Sequence, residues 1–298
     1  MRQRTARPQH FRFSGLSDPV STLTLGYSPC PNDTFIFYAL VHGRIDTGGL
    51  VFTEILEDVE TLNQMARQAR LDITKVSFHA FAHLRDQYCL LRAGGALGKG
   101  CGPLVVAREA YDMKDLRGRT IAIPGDLTTA FLLLQVSDPE MKKNIKIMPF
   151  HRIIEAVKHG DVDAGLIIHE SRFTYQGEGL RQVIDLGAWW EKETGLPIPL
   201  GCIIARRELG QALVQKTDVL IRDSLTYAFD HRDETRAYIK DHAQELEDSV
   251  IDRHIQLYVN DYSLDIGEDG VRAVQELFRR AAEQGIVPQS DRPLFLAA

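Results

Sequence analysis

The segment GLIIHESR at Gly165–Arg172 combines a short apolar run with a histidine and three further polar residues. An apolar run that ends in polar residues is typical of a strand buried on both faces, as in a parallel sheet covered by helices. The carboxyl ends of such strands form the ligand crevice of open α/β sheets, so His169 is expected to face a cleft. An imidazole there can transfer protons near neutral pH. The alternative is a histidine with a structural role only.

Two blocks of the chain share one order of predicted elements. Each begins with a strand, a polar turn and a buried helix, and continues with a strand, a second helix and a third strand. The predicted strands are Leu23–Tyr27, Val51–Ile55 and Asp72–Val76 in the first block, and Thr120–Ile123, Lys146–Phe150 and Ala164–Ile168 in the second. This order predicts two similar α/β halves that face each other across a gap.

Polar residues occupy corresponding places in the two blocks. Ser77 and His169 both follow a third strand. Likewise, the turn that holds Asn32 and Asp33 corresponds to the turn at Thr128–Thr129. Each turn precedes a buried helix, whose free N-terminal N–H groups are a ready site for an anion. The sequence therefore predicts that these positions line the gap.

Two further apolar runs, Leu104–Arg108 and Leu200–Arg206, are similar and are predicted to be crossover strands. The expected fold class is thus α/β, with two similar α/β domains joined by two crossover strands. The first domain is predicted to hold residues 21–106 and 206–298, and the second 107–205. Two crossovers make a hinge, which lets a cleft close on a ligand. The segments after residue 207 are helical in pattern and are expected to pack on the first domain.

The composition is that of a globular protein with two domains. The chain has 298 residues, 44% hydrophobic and 26% charged. The net charge of -6 argues against a nucleic-acid partner or a membrane surface, although a local site can still bind a small anion. No run approaches the length of a membrane span. Whether the chain forms a homodimer is left open.

The cysteines favour a cytosolic protein and show no metal-ligand motif. The four cysteines form no C-x-x-C pair and have no histidine at metal-ligand spacing, which favours reduced thiols. The loop Gly94–Gly102 is not a P-loop, because Lys99 is followed by Gly100, and a flexible loop is expected. Residues 1–20 hold four arginines and one aspartate and no apolar signal region. They are interpreted as a disordered arm or an over-extended start.

Four motifs resemble the 1,4-dihydroxy-6-naphthoate synthase family of the futalosine route to menaquinone. The motifs are Ser28–Phe35, the loop Gly94–Pro103, Gly165–Tyr175 and Asp185–Trp190. The resemblance runs from about Leu23 to Phe295, and the first 20 residues fall outside it.

This resemblance implies a fold similar to type II periplasmic binding proteins, and a reaction. The family cleaves cyclic dehypoxanthine futalosine, a small carboxylate, to 1,4-dihydroxy-6-naphthoate and a sugar-derived fragment, without a cofactor. The family's proposed base falls on His169, and its proposed ligand contacts fall on Ser77, Thr128 and Thr129. Proton removal would drive carbon–carbon cleavage, and aromatisation would supply the thermodynamic pull.

The substrate carboxylate also needs hydrogen-bond donors. The helix N-termini at Asn32–Asp33 and Thr128–Thr129 are candidates. Lys75 and Arg172 are further candidates, against the alternative that both are ordinary solvated side chains. Trp189 and Trp190 could stack on the substrate ring, but core packing is favoured.

Three other functions compete with a lyase. The same fold could serve a non-catalytic solute-binding protein, which would need a secretion signal that the sequence does not show. A chorismate-dehydrating relative of the same pathway would share the architecture, but the motif His169–Arg172 favours the lyase. A ligand-sensing regulator would need a DNA-binding segment, and the 20-residue arm is too short for one.

Overall fold

The fold is described from a computed structural model, for residues 22–243 and 247–296. The arm at residues 1–20, for which disorder or a misassigned start was expected, lies outside the described residues.

The first half of the chain alternates strands and helices. Its elements are β1 (Thr22–Tyr27), α1 (Pro31–Val41), β2 (Val51–Leu56), α2 (Val59–Arg67), β3 (Ile73–Ser77), α3 (Phe78–Leu84), β4 (Tyr88–Leu90) and β5 (Ala96–Gly98). Helix α1 starts at Pro31, whose missing N–H costs nothing at this position. All its residues but the last are buried, as expected for a helix that is apolar on every side. Helix α2 is amphipathic, and the Asp58 carboxylate caps its N-terminus.

The second part of the chain repeats this alternation. Its elements are β6 (Leu104–Ala107), β7 (Ile121–Ile123), α4 (Thr129–Ser137), β8 (Ile145–Ile147), α5 (Phe150–His159), β9 (Ala164–Ile167), α6 (Ser171–Thr174), β10 (Arg181–Asp185), α7 (Leu186–Thr194) and β11 (Ile198–Arg206). Helix α5 ends at Gly160, which has the left-handed φ of 81° that a glycine adopts without strain. Helix α7, which carries Trp189 and Trp190, was not predicted.

The strands form two sheets of matching order. The first sheet runs β2-β1-β3-β11-β4, with β5 paired to β11, and the second runs β8-β7-β9-β6-β10. In each, the first three strands are parallel and the fourth is antiparallel to the third. The predicted repeat of two α/β halves is thereby confirmed.

Both predicted runs form strands, β6 and β11, but neither strand crosses between the sheets, and the expected domain boundaries at residues 106 and 206 do not match the sheets. Strand β6 pairs with β9 and β10, so it belongs to the second sheet and not to the first. Strand β11 pairs with β3 and β4 and belongs to the first sheet. The chain therefore crosses within residues 99–103 and again within 195–197. A short apolar run does not reveal which sheet it joins, and this explains the error.

The loop Gly94–Gly102 also differs from the expectation of a flexible loop. Most of its residues are buried, and it contains β5. The Asn260 side chain donates a hydrogen bond to the Leu97 carbonyl oxygen, at 2.9 Å. The loop is therefore a packed part of the first half.

Helices cover the sheets after β11. They are α8 (Gln211–Asp230), α9 (Arg232–His242), α10 (Asp248–Tyr258), α11 (Asp261–Leu264) and α12 (Gly267–Glu283). Helices α8, α9 and α10 pack on α1, as expected for the first domain, whereas α12 contacts both β11 and α4 of the second half. One core cluster accordingly runs through both halves, from Phe78 and Phe81 to Leu133 and Leu166. Within the described residues, no helix is long and apolar enough to cross a membrane.

Candidate active site

A cavity lies between the two sheets, where the third strand of each half ends. Its empty volume is about 670 Å³, part of it open to solvent. Both halves supply side chains to its wall, as the repeat of the two blocks predicts. The polar residues along the wall are Ser28, Asn32, Asp33, Lys75, Ser77, Thr128, Thr129, His169 and Tyr258. Seven of the eight residues predicted for the site are among them.

His169 follows β9 and projects into this cavity. Its φ of 56° is left-handed, which is rare and strained for a residue with a Cβ. Burial lowers the pKa of His169 below its ordinary value, against the opposing effect of the Glu170 and Asp33 carboxylates. The imidazole is therefore neutral near pH 7 and can accept a proton. The Phe150 ring contacts it edge-on, with centroids 5.0 Å apart.

Ser77 ends β3 on the opposite side of the cavity. Its backbone N–H donates to the Asn63 side-chain oxygen at 2.9 Å, and its hydroxyl oxygen accepts from the Asn63 amide at 3.3 Å. Asn63 is fully buried on α2, so it holds Ser77 in place. The Ser77 hydroxyl proton remains free to donate toward a ligand.

Thr128 and Thr129 begin α4 at the second-half wall. The Thr128 hydroxyl donates to the Gly125 carbonyl and accepts from the Phe131 N–H, so Thr128 caps the helix. The Thr129 hydroxyl donates to the Leu200 carbonyl of β11, at 2.5 Å. Both hydroxyl protons are thus engaged within the protein. The Thr129 and Ala130 N–H groups in the first turn of α4 have no intrahelical acceptor, and they are the donors that this wall can offer.

Asn32, Asp33 and Lys75 form a bonded group on the first-half wall. The Lys75 ammonium lies 2.7 Å from the Asp33 carboxylate and 3.2 Å from the Gly94 carbonyl oxygen. An ammonium has three N–H donors, so one remains for a ligand. Asp33 places a negative charge in the first turn of α1, which weakens the expected anion site at that helix N-terminus.

Arg172 is the one predicted site residue that the structure places elsewhere. Its guanidinium donates to the Gly102 carbonyl and pairs with the Asp185 carboxylate at 2.7 Å, and Arg172 does not line the cavity. Asp185 also caps α7 through the N–H groups of Gly187 and Ala188. Arg172 therefore ties α6 to the segment before β6 and to the N-terminus of α7, and its role as a substrate ligand stays a prediction that these contacts do not support.

Three further residues near His169 or on the cavity wall were not predicted from the sequence. The Cys30 thiol lies 3.7 Å from the His169 Nδ1, and Tyr258 lines the cavity. The ring of His254 is stacked near that of His169, with an angle of 14° between the ring planes and the centroids 6.2 Å apart. Cys30 lies within one of the four motifs and could have been found there. His254 and Tyr258 lie one turn apart on α10, whose amphipathic pattern gives no such signal.

Cys30, His169 and Glu170 are of metal-ligand type, with ligand atoms within 4.8 Å of one another. Burial, aided by the Glu170 carboxylate, raises the pKa of the Cys30 thiol well above its ordinary value, so the thiol keeps its proton. A cysteine binds a metal as the thiolate. A metal ion at these side chains would therefore have to displace that proton.

Trp190 and Trp189 lie outside the cavity. Trp190 is fully buried, and its indole N–H donates to the Pro197 carbonyl oxygen at 3.0 Å. Core packing, the favoured interpretation, is therefore the role that its contacts support.

Comparison with known proteins finds two relatives that match most of the chain. A 1,4-dihydroxy-6-naphtoate synthase of Thermus thermophilus is 52% identical over 278 residues, which span 93% of this chain and the full length of the relative. A protein of the same name from Streptomyces coelicolor is 48% identical over 90% of this chain and 95% of its own length.

Solved structures support the fold class. Protein AF1704 of Archaeoglobus fulgidus is 37% identical and superposes with a TM-score of 0.84, over 89% of this chain and 98% of its own. The Candida albicans protein CA3427, described as having the generic periplasmic binding protein fold, has a TM-score of 0.68 at 13% identity, over 91% of this chain and 92% of its own. The predicted periplasmic-binding-protein-like fold is confirmed. Residues 23–283 match the family model described as menaquinone biosynthesis, and the chain belongs to this menaquinone biosynthesis family.

Proposed function

We propose that this protein is a 1,4-dihydroxy-6-naphthoate synthase, a carbon–carbon lyase that cleaves cyclic dehypoxanthine futalosine. One observation carries the proposal. His169, Ser77, Thr128 and Thr129, from three separate segments, line one cavity in a chain that is 52% identical to a relative of that name. A biosynthetic role of this kind goes with a cytoplasmic location, which forms part of the proposal.

In the proposed reaction, His169 is the general base. Its lowered pKa leaves the imidazole unprotonated at neutral pH, as a base must be. It removes a proton from the substrate, the carbon–carbon bond breaks, and the ring that remains becomes aromatic. A positioned base of this kind contributes roughly 10²–10⁴-fold to the rate.

The substrate carboxylate would bind to donors on both walls. The N-terminus of α4 at Thr128–Thr129, the Ser77 hydroxyl and the third N–H of Lys75 are the available groups. Because these donors lie on different halves, binding would draw the halves together and exclude water from His169.

The test is an assay of product formation from cyclic dehypoxanthine futalosine, followed by naphthoate absorbance. We expect activity in the wild type and a loss of at least 100-fold in His169→Asn. His159→Asn is the matched control, because this histidine lies exposed on α5 outside the cavity, and it should retain full activity.

Two outcomes would contradict the proposal. Equal rates in the wild type and His169→Asn would remove the base but keep the lyase. A wild-type protein that binds the compound without forming product would instead be a solute-binding protein.

A further inference from the structure

Two buried side-chain atoms face each other behind His169 without a hydrogen bond. The Glu170 Oε2 and the His254 Nδ1 lie 3.6 Å apart, and neither has a hydrogen-bond partner among the described residues. The His254 side chain is 1% exposed and that of Glu170 12%. Glu170 follows β9 of the second half, whereas His254 belongs to α10, which packs on α1 of the first half. The contact therefore joins the two halves beside the cavity.

The tautomer of His254 is set by a chain of hydrogen bonds on its other side. The His254 Nε2 lies 2.9 Å from the Asn32 side-chain oxygen. The Asn32 amide nitrogen donates to the Asp33 carboxylate at 2.7 Å, and Lys75 pairs with the same oxygen. If the Asn32 amide were rotated by half a turn, its oxygen would face the Asp33 carboxylate oxygen, which is unfavourable. Asn32 therefore presents its oxygen to the His254 ring. The His254 Nε2 must therefore carry a proton and donate it.

This tautomer leaves one proton missing at the contact with Glu170. A neutral ring protonated at Nε2 presents a lone pair at Nδ1, and an ionised Glu170 presents lone pairs as well. Two buried acceptors in contact are both unsatisfied, and each such group costs about 1–3 kcal/mol. A single proton between them turns the repulsion into a charge-assisted hydrogen bond.

We propose that Glu170 and His254 hold one proton between them, and that the resulting hydrogen bond joins the two halves and positions His169. The proton lies either on the carboxylate or on Nδ1, and in both cases one atom donates to the other. Glu170 is the next residue after His169, whose φ of 56° is strained, so fixing Glu170 fixes the direction of the imidazole. The stacked ring of His254 limits the movement of the His169 imidazole from the other side.

Other titratable groups surround the pair. They are Cys30 before α1, Asp33 on α1, Lys75 on β3, His169 after β9 and Tyr258 on α10. Burial, His169 and Lys75 together lower the pKa of His254 well below its ordinary value, which disfavours a doubly protonated ring that lacks a counterion. Glu170 is the carboxylate in contact that can supply or balance the missing charge.

The shared proton can be detected in the ligand-free protein, so this part does not depend on the proposed function. At pH 7, nitrogen NMR of histidine-labelled protein reports protonation at the His254 Nδ1. The infrared difference between wild type and Glu170→Gln reports a protonated carboxylic acid at Glu170. We expect one of the two signals. Their joint absence, with an unprotonated Nδ1 and an ionised carboxylate, would overturn the proposal.

The positioning role rests on the proposed function and needs a matched pair of variants. The Glu170→Gln amide can donate to Nδ1 in place of the shared proton, whereas Glu170→Ala cannot. We expect Glu170→Gln to keep kcat within about threefold with a flatter alkaline pH profile, and Glu170→Ala to lose tenfold or more in kcat. Equal losses in the two variants would contradict positioning, and an inactive wild type would contradict the proposed function alone.

Discussion

Lys75 and Asp33 form a salt bridge of 2.7 Å on the wall of the cavity, with side chains only 6% and 2% exposed. The Asp33 carboxylate also accepts hydrogen bonds from the Ser28 hydroxyl at 2.7 Å and from the Asn32 amide. Removing either residue of such a buried ion pair is destabilising, because the remaining charge is then buried without a counterion and without water. The pair therefore organises the first-half wall before any ligand binds.

Removing one member of this pair should be costly for folding. We expect Asp33→Asn to lower the free energy of unfolding by roughly 3–5 kcal/mol, because it leaves the Lys75 charge buried without a counterion. Urea unfolding followed by circular dichroism measures the change. The double variant Asp33→Asn/Lys75→Met removes both charges and should lose less than the sum of the single variants. Additive losses would show that the two residues do not interact.

The pH dependence of catalysis should follow from the burial of His169. A general base works only when unprotonated, so kcat/KM should fall as the pH drops through the pKa of His169. Burial lowers that pKa below the ordinary value of 6.5, so the half-maximal rate should lie below pH 6.5 and the plateau should include pH 7. Rates between pH 4.5 and 8 measure it. A half-maximal rate above pH 7 would mean that another group is titrating.

Much of the fold and part of the site could be predicted from the sequence, because they depend on local pattern. The apolar strands at Thr22–Tyr27 and Ala164–Ile167 end in polar turns, and the carboxyl ends of parallel strands meet at one edge. His169 and Ser77 could be assigned to the same cavity for that reason.

The features that were missed depend on tertiary contacts that no local sequence pattern shows. Arg172 pairs with Asp185 because β10 joins β6 at the edge of the second sheet, and the spacing of residues in the sequence does not predict this pairing. His254 reaches Asn32 from 222 positions away, on a helix with an ordinary amphipathic pattern. The long separation hid the contact of His254, whereas Arg172 and Asp185 are only 13 positions apart and meet because of how β10 joins the sheet.

The contacts of Arg172 lead to a prediction about stability and not about affinity. We expect Arg172→Met to lower the melting temperature by several degrees, because it frees the Asp185 carboxylate and the Gly102 carbonyl from their shared partner. The KM for cyclic dehypoxanthine futalosine should change by less than about twofold, since Arg172 lies outside the cavity lining. A tenfold rise in KM with an unchanged melting temperature would restore Arg172 as a substrate ligand.

Gly165 should be required for the packing of β9 on α5, directly before the catalytic segment. A Cβ at this position would collide with the Ile153 and Val157 side chains of α5. Overpacking of a dense core costs typically 1–3 kcal/mol, so Gly165→Ala should destabilise by about that amount and shift His169.

Unfolding experiments on Gly165→Ala, Ile153→Ala and their double variant measure the coupling. Because Ile153→Ala removes the methyl group that collides, the double variant should be more stable than the sum of the single changes predicts. Gly177→Ala is the control, since an added Cβ there meets only ordinary contacts, and a similar loss in that variant would contradict the packing argument.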